Sequence, residues 1–288
     1  MVKKPEVRGL YHEPTSTFSY VAWDPESGDA AIIDAVLDYD GAAGRTGTAS
    51  AAALLAIVAR EGLALRWILE THAHADHLSA AGFLHARTGA PIGTGAGITA
   101  VQATFSEIYN FGPEFPTDGR QFDRLFADGE RFPLGGIEVT VLATPGHTSD
   151  SVTYLVGDAA FIGDTLFAPD YGSARCDFPG GDAVTLFRSV QRLYALSPDT
   201  RLFLCHDYPP DGRAPRCEWS VAEQRAGNIH IDARTGEEDF VAMRSARDRT
   251  LGMPALIIPS VQVNIRAGRL PEPENNGTRY LRVPLDTL

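Results

Sequence analysis

Four metal-ligand side chains stand within six residues in the segment Thr71-His72-Ala73-His74-Ala75-Asp76-His77, directly after the apolar run Leu65 to Leu69, which ends in Glu70. In an extended stretch, side chains two apart face the same way, so His72, His74 and Asp76 are expected to converge on one point while His77 reaches a neighbouring one. Loops ordinarily draw on Gly, Asn, Asp, Ser and Pro for turn geometry, and imidazoles crowded together without a ligand would repel one another once protonated. A bound metal is the chemistry that this density points to.

Single ligand-type residues recur downstream, each just past the end of a predicted strand. The alternating stretch Ile137 to Leu142 leads to Pro145-Gly146-His147, the run Ala159 to Ile162 leads to Gly163-Asp164, and Arg201 to Cys205 leads to His206-Asp207-Tyr208. Ligands at the ends of several strands are what an active site built on a rigid sheet would present. The full candidate set is His72, His74, Asp76, His77, His147, Asp164 and His206.

In this order of motifs, HxHxDH followed by a lone His, a lone Asp and a lone His, the chain resembles the metallo-β-lactamase superfamily from about Phe18 to Tyr208. The resemblance implies an α/β fold, an αββα sandwich of two mixed β-sheets flanked by helices, with the metals along one edge of the sheets. It also makes Asp34, after Ile32-Ile33, a structural brace for the metal loops.

Between Asp164 and His206, the stretch Gly172-Ser173-Ala174-Arg175-Cys176-Asp177-Phe178 is similar to the Gly-Arg-Thr-Asp-Phe segment of the persulfide dioxygenases, the ethylmalonic encephalopathy protein family, and their bacterial β-lactamase-like relatives. Cys176 stands where that family has Thr, and Ser173 where its animal members have Cys. The resemblance implies one Fe(2+) per chain on His72, His147 and Asp164, with glutathione persulfide and O2 as substrates and sulfite and glutathione as products. Three ligands on one side leave up to three positions open. His74, Asp76, His77 and His206 would then orient and tune the site or hold a second metal. Arg175, Asp207 and Tyr208 would bind substrate, and Asp177 would support Arg175. All seven ligands for two Zn2+ are also present, so the alternative is a thioester hydrolase resembling glyoxalase II. A third reading is a metal or redox sensor without turnover.

The elements that must position these residues follow from periodicity. Phe18 to Ala22 and Ala30 to Asp34 read as a hairpin around Asp24-Pro25-Glu26-Ser27-Gly28-Asp29. Helices are expected over Ser50–Glu61, Leu78–Thr88, Asp182–Leu196 and Glu237–Leu251, while Gly93 to Asp118 reads as an irregular segment able to cover the cleft. Residues 1–288 read as a single catalytic domain, with a carboxy-terminal helix and tail from about 237 docked on it. Hydrophobic residues make up 44% of the chain, enough for a real core. No apolar stretch approaches the roughly 18 residues that cross a bilayer, and no signal-peptide core follows Met1 to Glu6, so no membrane partner and a cytoplasmic location are expected. Three cysteines, Cys176, Cys205 and Cys217, are too few for a disulfide framework. A net charge of -12 argues against nucleic acid as a partner. Assembly into a homodimer is left open. His12, His85 and His230 read as surface or hydrogen-bonded histidines outside the motifs.

Overall fold

The computed structural model describes residues 3–287, so Met1 and Val2 of the amino-terminal stretch lie outside it. In chain order the strands are β1 (Glu6–His12), β2 (Thr17–Trp23), β3 (Asp29–Ile33), β4 (Val36–Asp40), β5 (Arg45–Gly47), β6 (Ala64–Leu69), β7 (Leu78–Ser79), β8 (Ile92–Gly95), β9 (Arg124–Phe126), β10 (Arg131–Leu134), β11 (Ile137–Ala143), β12 (Val152–Val156), β13 (Ala159–Phe161), β14 (Arg201–Phe203) and β15 (Glu218–Ser220). The helices are α1 (Ala49–Arg60), α2 (Ala81–Thr88), α3 (Ile98–Ile108), α4 (Ala183–Tyr194), α5 (Val221–Gly227), α6 (Glu237–Asp248) and α7 (Ile257–Asn264).

Two six-stranded sheets form, in the orders β1-β2-β3-β6-β8-β9 and β10-β11-β12-β13-β14-β15. Both are mixed: β3, β6, β8 and β9 run parallel, as do β13 and β14, and the other neighbours are antiparallel. Their inner faces meet through Phe18, Tyr20, Ile33 and Leu69 on one side and Leu134, Val139, Val141, Tyr154 and Phe161 on the other. Period-2 alternation sends the intervening residues outward. Val21 and Ile32 pack against α1, α2, α3 and α7, whereas Ala160 and Leu202 pack under α4, α5 and α6. The result is the αββα layering expected. Asp182 starts α4 by accepting a hydrogen bond from Thr185 N, and Leu186, Val190 and Leu193 recur at helical spacing to bury one face.

One expectation is corrected here. Residues 93–118 are not an irregular cleft cover: they contain most of β8 and all of α3, and Phe105, Tyr109 and Phe115 are buried in the helical layer. Clustered glycines mask the helix periodicity at its start, because Gly95 and Gly97 lie where a Cβ would meet Val152 and the Asp150 backbone at 2.6 to 2.7 Å. The first helix-like turns after the metal loop are also shorter than expected, since Leu78 and Ser79 pair with β4 before α2 begins. No helix among the described residues is long and apolar enough to cross a membrane.

The carboxy-terminal elements are docked by specific contacts. Arg244 of α6, 1% exposed, donates to Asp248 Oδ1 and to Ser173 O, while Asp248 Oδ2 accepts from Cys176 N at 2.9 Å. This buried pair clamps the 173–176 segment to α6. Asp248→Ala leaves a buried guanidinium without its counter-charge and is expected to cost about 3 to 5 kcal/mol, read as a lowered denaturant midpoint. An unchanged midpoint would refute the clamp.

Candidate metal centre

Buried hydrogen bonds shape the loop after β6. Asp34 directly follows β3 at φ 51°, a left-handed backbone that aspartate tolerates better than most residues. Its Oδ1 accepts from Thr71 N at 2.8 Å and its Oδ2 from Thr71 Oγ1 at 2.9 Å. Asp150 Oδ2 accepts from Ala73 N, and Asn264 of α7 donates to the carbonyls of both His74 and His77. Pinned in this way, residues 70–77 form a succession of bends instead of an extended strand. The expected convergence of His72, His74 and Asp76 on one point is therefore corrected: His72 groups with His147 and Asp164, whereas His74 and Asp76 group with His77 and His206.

The two groups share a wall. Asp164 Oδ2 lies 3.6 Å from His147 Nε2 and 3.9 Å from His72 Nε2, while its Oδ1 lies 3.4 Å from His206 Nε2. Asp76 Oδ2 is 3.1 Å from the same His206 nitrogen. All seven side chains predicted as ligands are thus brought together.

Hydrogen-bond partners settle which ring nitrogens face the cluster. Carbonyl oxygens only accept, so His206 Nδ1 must donate to Ser16 O at 3.2 Å, and His147 Nδ1 to Arg175 O at 2.8 Å. The hydrogen of Thr71 Oγ1 goes to Asp34, so His72 Nδ1, 3.0 Å away, donates to that hydroxyl. These three rings keep an Nε2 lone pair. His74 is reversed: its Nε2 donates to Asp34 Oδ1 at 3.1 Å, leaving Nδ1. His72 Nε2, His74 Nδ1, His206 Nε2, both nitrogens of His77, Asp76 Oδ2 and Asp164 Oδ1 are all buried without a hydrogen-bond partner. Each such group costs roughly 1 to 3 kcal/mol if left unpaired. Nitrogen and carboxylate donors aimed at a common space fit a divalent cation such as iron or zinc.

The electrostatics divide the cluster, lowering His72 and His77 but raising His74, His206 and Asp164. Burial, joined by the neighbouring imidazoles, holds His72 well below the usual histidine range, and burial with His74 brings His77 down to about 4. Burial pushes Asp164 up against the pull of His206 and His147. At His74 burial is outweighed by Asp34, which raises the imidazole. Glu70, unremarked in the sequence reading except as a strand end, is buried 3.5 Å from His74 and accepts from Ser79 Oγ; burial raises its carboxyl despite the contact with His74. The signal for it was its position immediately before the histidine cluster.

A cavity of about 290 Å³ opens onto the cluster through Asp76, His147 and Asp164. Phe167, Tyr171 and Tyr208 form an aromatic wall, with Tyr208 stacked 5.7 Å from His206. Arg175 reaches this cavity, but its Nε and Nη2 grip both oxygens of Asp177 at 2.6 and 2.7 Å and its Nη1 donates to Gly252 O. Asp207 does not line the cavity. It is fully buried, accepts a bidentate pair from Arg213 and a bond from Arg216 N, and so acts as an anchor for that loop instead of a substrate contact. Arg247, which the sequence reading passed over, lines the cavity with an exposed side chain and no ion pair among the described residues. Only its position on α6 marks it, and that required the fold.

Fold and site together define the class, and comparison agrees: the chain belongs to the metallo-β-lactamase superfamily, whose family model matches residues 12–206. It is 53% identical to a probable metallo-hydrolase of Burkholderia pseudomallei, over 98% of this chain and 99% of that protein. A glyoxylase B2 of Dictyostelium discoideum is 44% identical over 100% of this chain and 99% of its own length. The human mitochondrial persulfide dioxygenase ETHE1 is 31% identical, over 91% and 88% of the two chains. Among solved structures, ETHE1 from Myxococcus xanthus superposes with a TM-score of 0.73 at 30% identity, covering 92% of this chain and all of that one.

Asp34→Asn keeps the volume and tolerates the left-handed backbone but loses one charge-assisted acceptor for Thr71 or His74. Metal affinity, measured by chelator competition on protein whose circular dichroism is unchanged, is expected to fall about 10 to 100-fold. Unaltered affinity would show that Asp34 braces only the fold.

Proposed function

We propose that the chain is a persulfide dioxygenase, with His72, His147 and Asp164 holding one Fe(2+) and glutathione persulfide and O2 as substrates. The observation that carries this reading is the bond from His147 Nδ1 to the carbonyl of Arg175. The segment similar to that of the persulfide dioxygenases therefore orients one of the three ligands directly, and the likeness to human ETHE1 runs through the whole site region. Held on three ligands, Fe(2+) supplies open positions for a sulfur donor and O2.

The residues of the chain do the rest. Aromatic side chains Phe167, Tyr171 and Tyr208 exclude water beside the cluster. Arg175 keeps its loop in place through Asp177 and stacks 4.8 Å from the Phe178 ring, which itself packs on His147. Arg247 offers the free charge at the cavity for a substrate carboxylate. His74, Asp76, His77 and His206 complete the surround. The whole chain serves as one catalytic unit, its three free thiols suit a reducing cytoplasm, and its acidity disfavours nucleic acid.

A second reading rests on the same arrangement: His74, Asp76, His77 and His206 form a second ligand group beside Asp164, and the glyoxylase B2 relative, at 44% identity, is nearer to this chain than human ETHE1 at 31%. Two Zn2+ and hydroxide-driven thioester hydrolysis would use all seven side chains. Purified protein is expected to carry one iron per chain and to consume O2 when given glutathione persulfide. Two zincs per chain, hydrolysis of S-lactoylglutathione and no oxygen uptake would establish the hydrolase instead.

Arg247→Ala should raise KM for glutathione persulfide roughly 2 to 5-fold with iron content unchanged, the modest size reflecting an exposed charge contributing up to about 1 kcal/mol. An unchanged KM would remove Arg247 from the substrate site.

A further inference from the structure

Among the cluster histidines, His206 is the one whose outward nitrogen meets a run of side chains leading away from the site. Its Nδ1 lies 3.4 Å from Thr17 Oγ1, Thr17 Oγ1 lies 2.7 Å from Thr15 Oγ1, and Thr15 Oγ1 lies 2.7 Å from His12 Nδ1. On the other edge of that ring, His12 Nε2 is 3.5 Å from Asp38 Oδ1, and Asp38 also accepts from Ser50 N and Oγ. His12 and Asp38 line a cavity of about 550 Å³ that His77 also reaches.

The turn carrying the two threonines is built against His206. Ser16, between them, sits at φ 54°, a left-handed conformation that costs a non-glycine residue about 1 kcal/mol. Its carbonyl accepts from both His206 Nδ1 and Asp207 N, Phe18 N donates to Cys205 O, and Thr17 bridges directly to His206. Strain of this kind persists only where its surroundings over-determine it. A consistent order of donors is available, with the hydrogen of Thr17 Oγ1 free to go to either the hydroxyl or the carbonyl of Thr15. His206 Nδ1 carries a hydrogen, so it donates towards Ser16 O and Thr17 Oγ1. Thr17 can then donate to Thr15, and Thr15 to His12 Nδ1. Burial, against the pull of Asp38, lowers the His12 imidazole, consistent with an Nδ1 that accepts.

We propose that Thr17, Thr15 and His12 are positioning residues for His206, a hydrogen-bonded series anchored at Asp38 that sets how the Nε2 lone pair of His206 meets the metal cluster. The inference rests on His206 facing that cluster and not on which reaction the cluster runs, so a hydrolase outcome leaves it standing. For His72 and His74, the equivalent support comes from Asp34, deep in the sheet; for His206 it comes from the surface turn between β1 and β2.

The test uses full-length protein loaded with Co2+, whose visible absorption reports ligand geometry independently of substrate. Thr17→Val removes the hydroxyl at constant shape. The expected result is a displaced cobalt spectrum and a fall in kcat of about tenfold with KM within twofold, the usual size for support one step behind a metal-site residue. Thr17→Ser should restore both. Thr15→Val, at a half-buried position, should give the same spectral displacement in weaker form, and it keeps the test decisive if Thr17→Val does not fold. A cobalt spectrum and kcat identical to the unsubstituted protein in whichever valine variant folds would overturn the proposal.

Discussion

The Asp34 carboxylate is the contact on which the rest of the site depends. One oxygen takes the Thr71 amide and the His74 imidazole, the other takes the Thr71 hydroxyl, and through that hydroxyl the orientation of His72 is fixed as well. Three of these partners would otherwise be buried polar groups with no acceptor, so the loop has little freedom to take another path. Asp34 itself is held by the sheet: it directly follows β3, its amide donates to Leu69 O at the end of β6, and its carbonyl accepts from Ser19 of β2. A charge in the layer between strands thus converts the position of three strands into the direction of two imidazoles.

That arrangement also explains how so many ionisable groups can be buried side by side. Asp34, Glu70, Asp76 and Asp164 stand among five histidines, each class shifting the other through a few ångströms of low-dielectric protein. Asp76 is held well below the ordinary carboxylate range because His206 and His77 outweigh its burial, while Glu70 is not. Asp76 is thereby held ionised against the histidines, whereas burial raises both Asp164, at the wall between the two groups, and Glu70, set back from it. The surface-facing side is treated differently. Arg175 spends its charge on Asp177, which fixes its loop and leaves Arg247, among the described residues, as the cavity-lining cation without an ion pair, while Asp207, buried and off the cavity, is held by Arg213.

Much of this was legible in the chain itself because it is local. The HxHxDH segment, the lone His147, Asp164 and His206 past strand ends, the hairpin of β2 and β3, and the α4 helix with its Asp182 cap each depend on residues within a dozen positions of one another. The ion-pair partners of Arg175 and Asp207 were not, since a charged side chain near the metal ligands reads the same whether it meets a substrate or an opposite charge on a neighbouring residue. Nor was α3, whose glycine-rich approach reflects close backbone packing against Asp150 and Val152 from a distant strand.

Sequence by itself determined which side chains could hold a metal and in what fold, because ligand types, their spacing and strand periodicity are written in short stretches. Tertiary structure decided how the ligands divide. His72 parts company with His74 and Asp76 because Asp34, Asp150 and Asn264, contributed from 37 to 190 residues away, bend the loop that joins them. Long-range hydrogen bonds to backbone amides and carbonyls leave no periodic trace, so they could be seen only once the sheets had closed on one another.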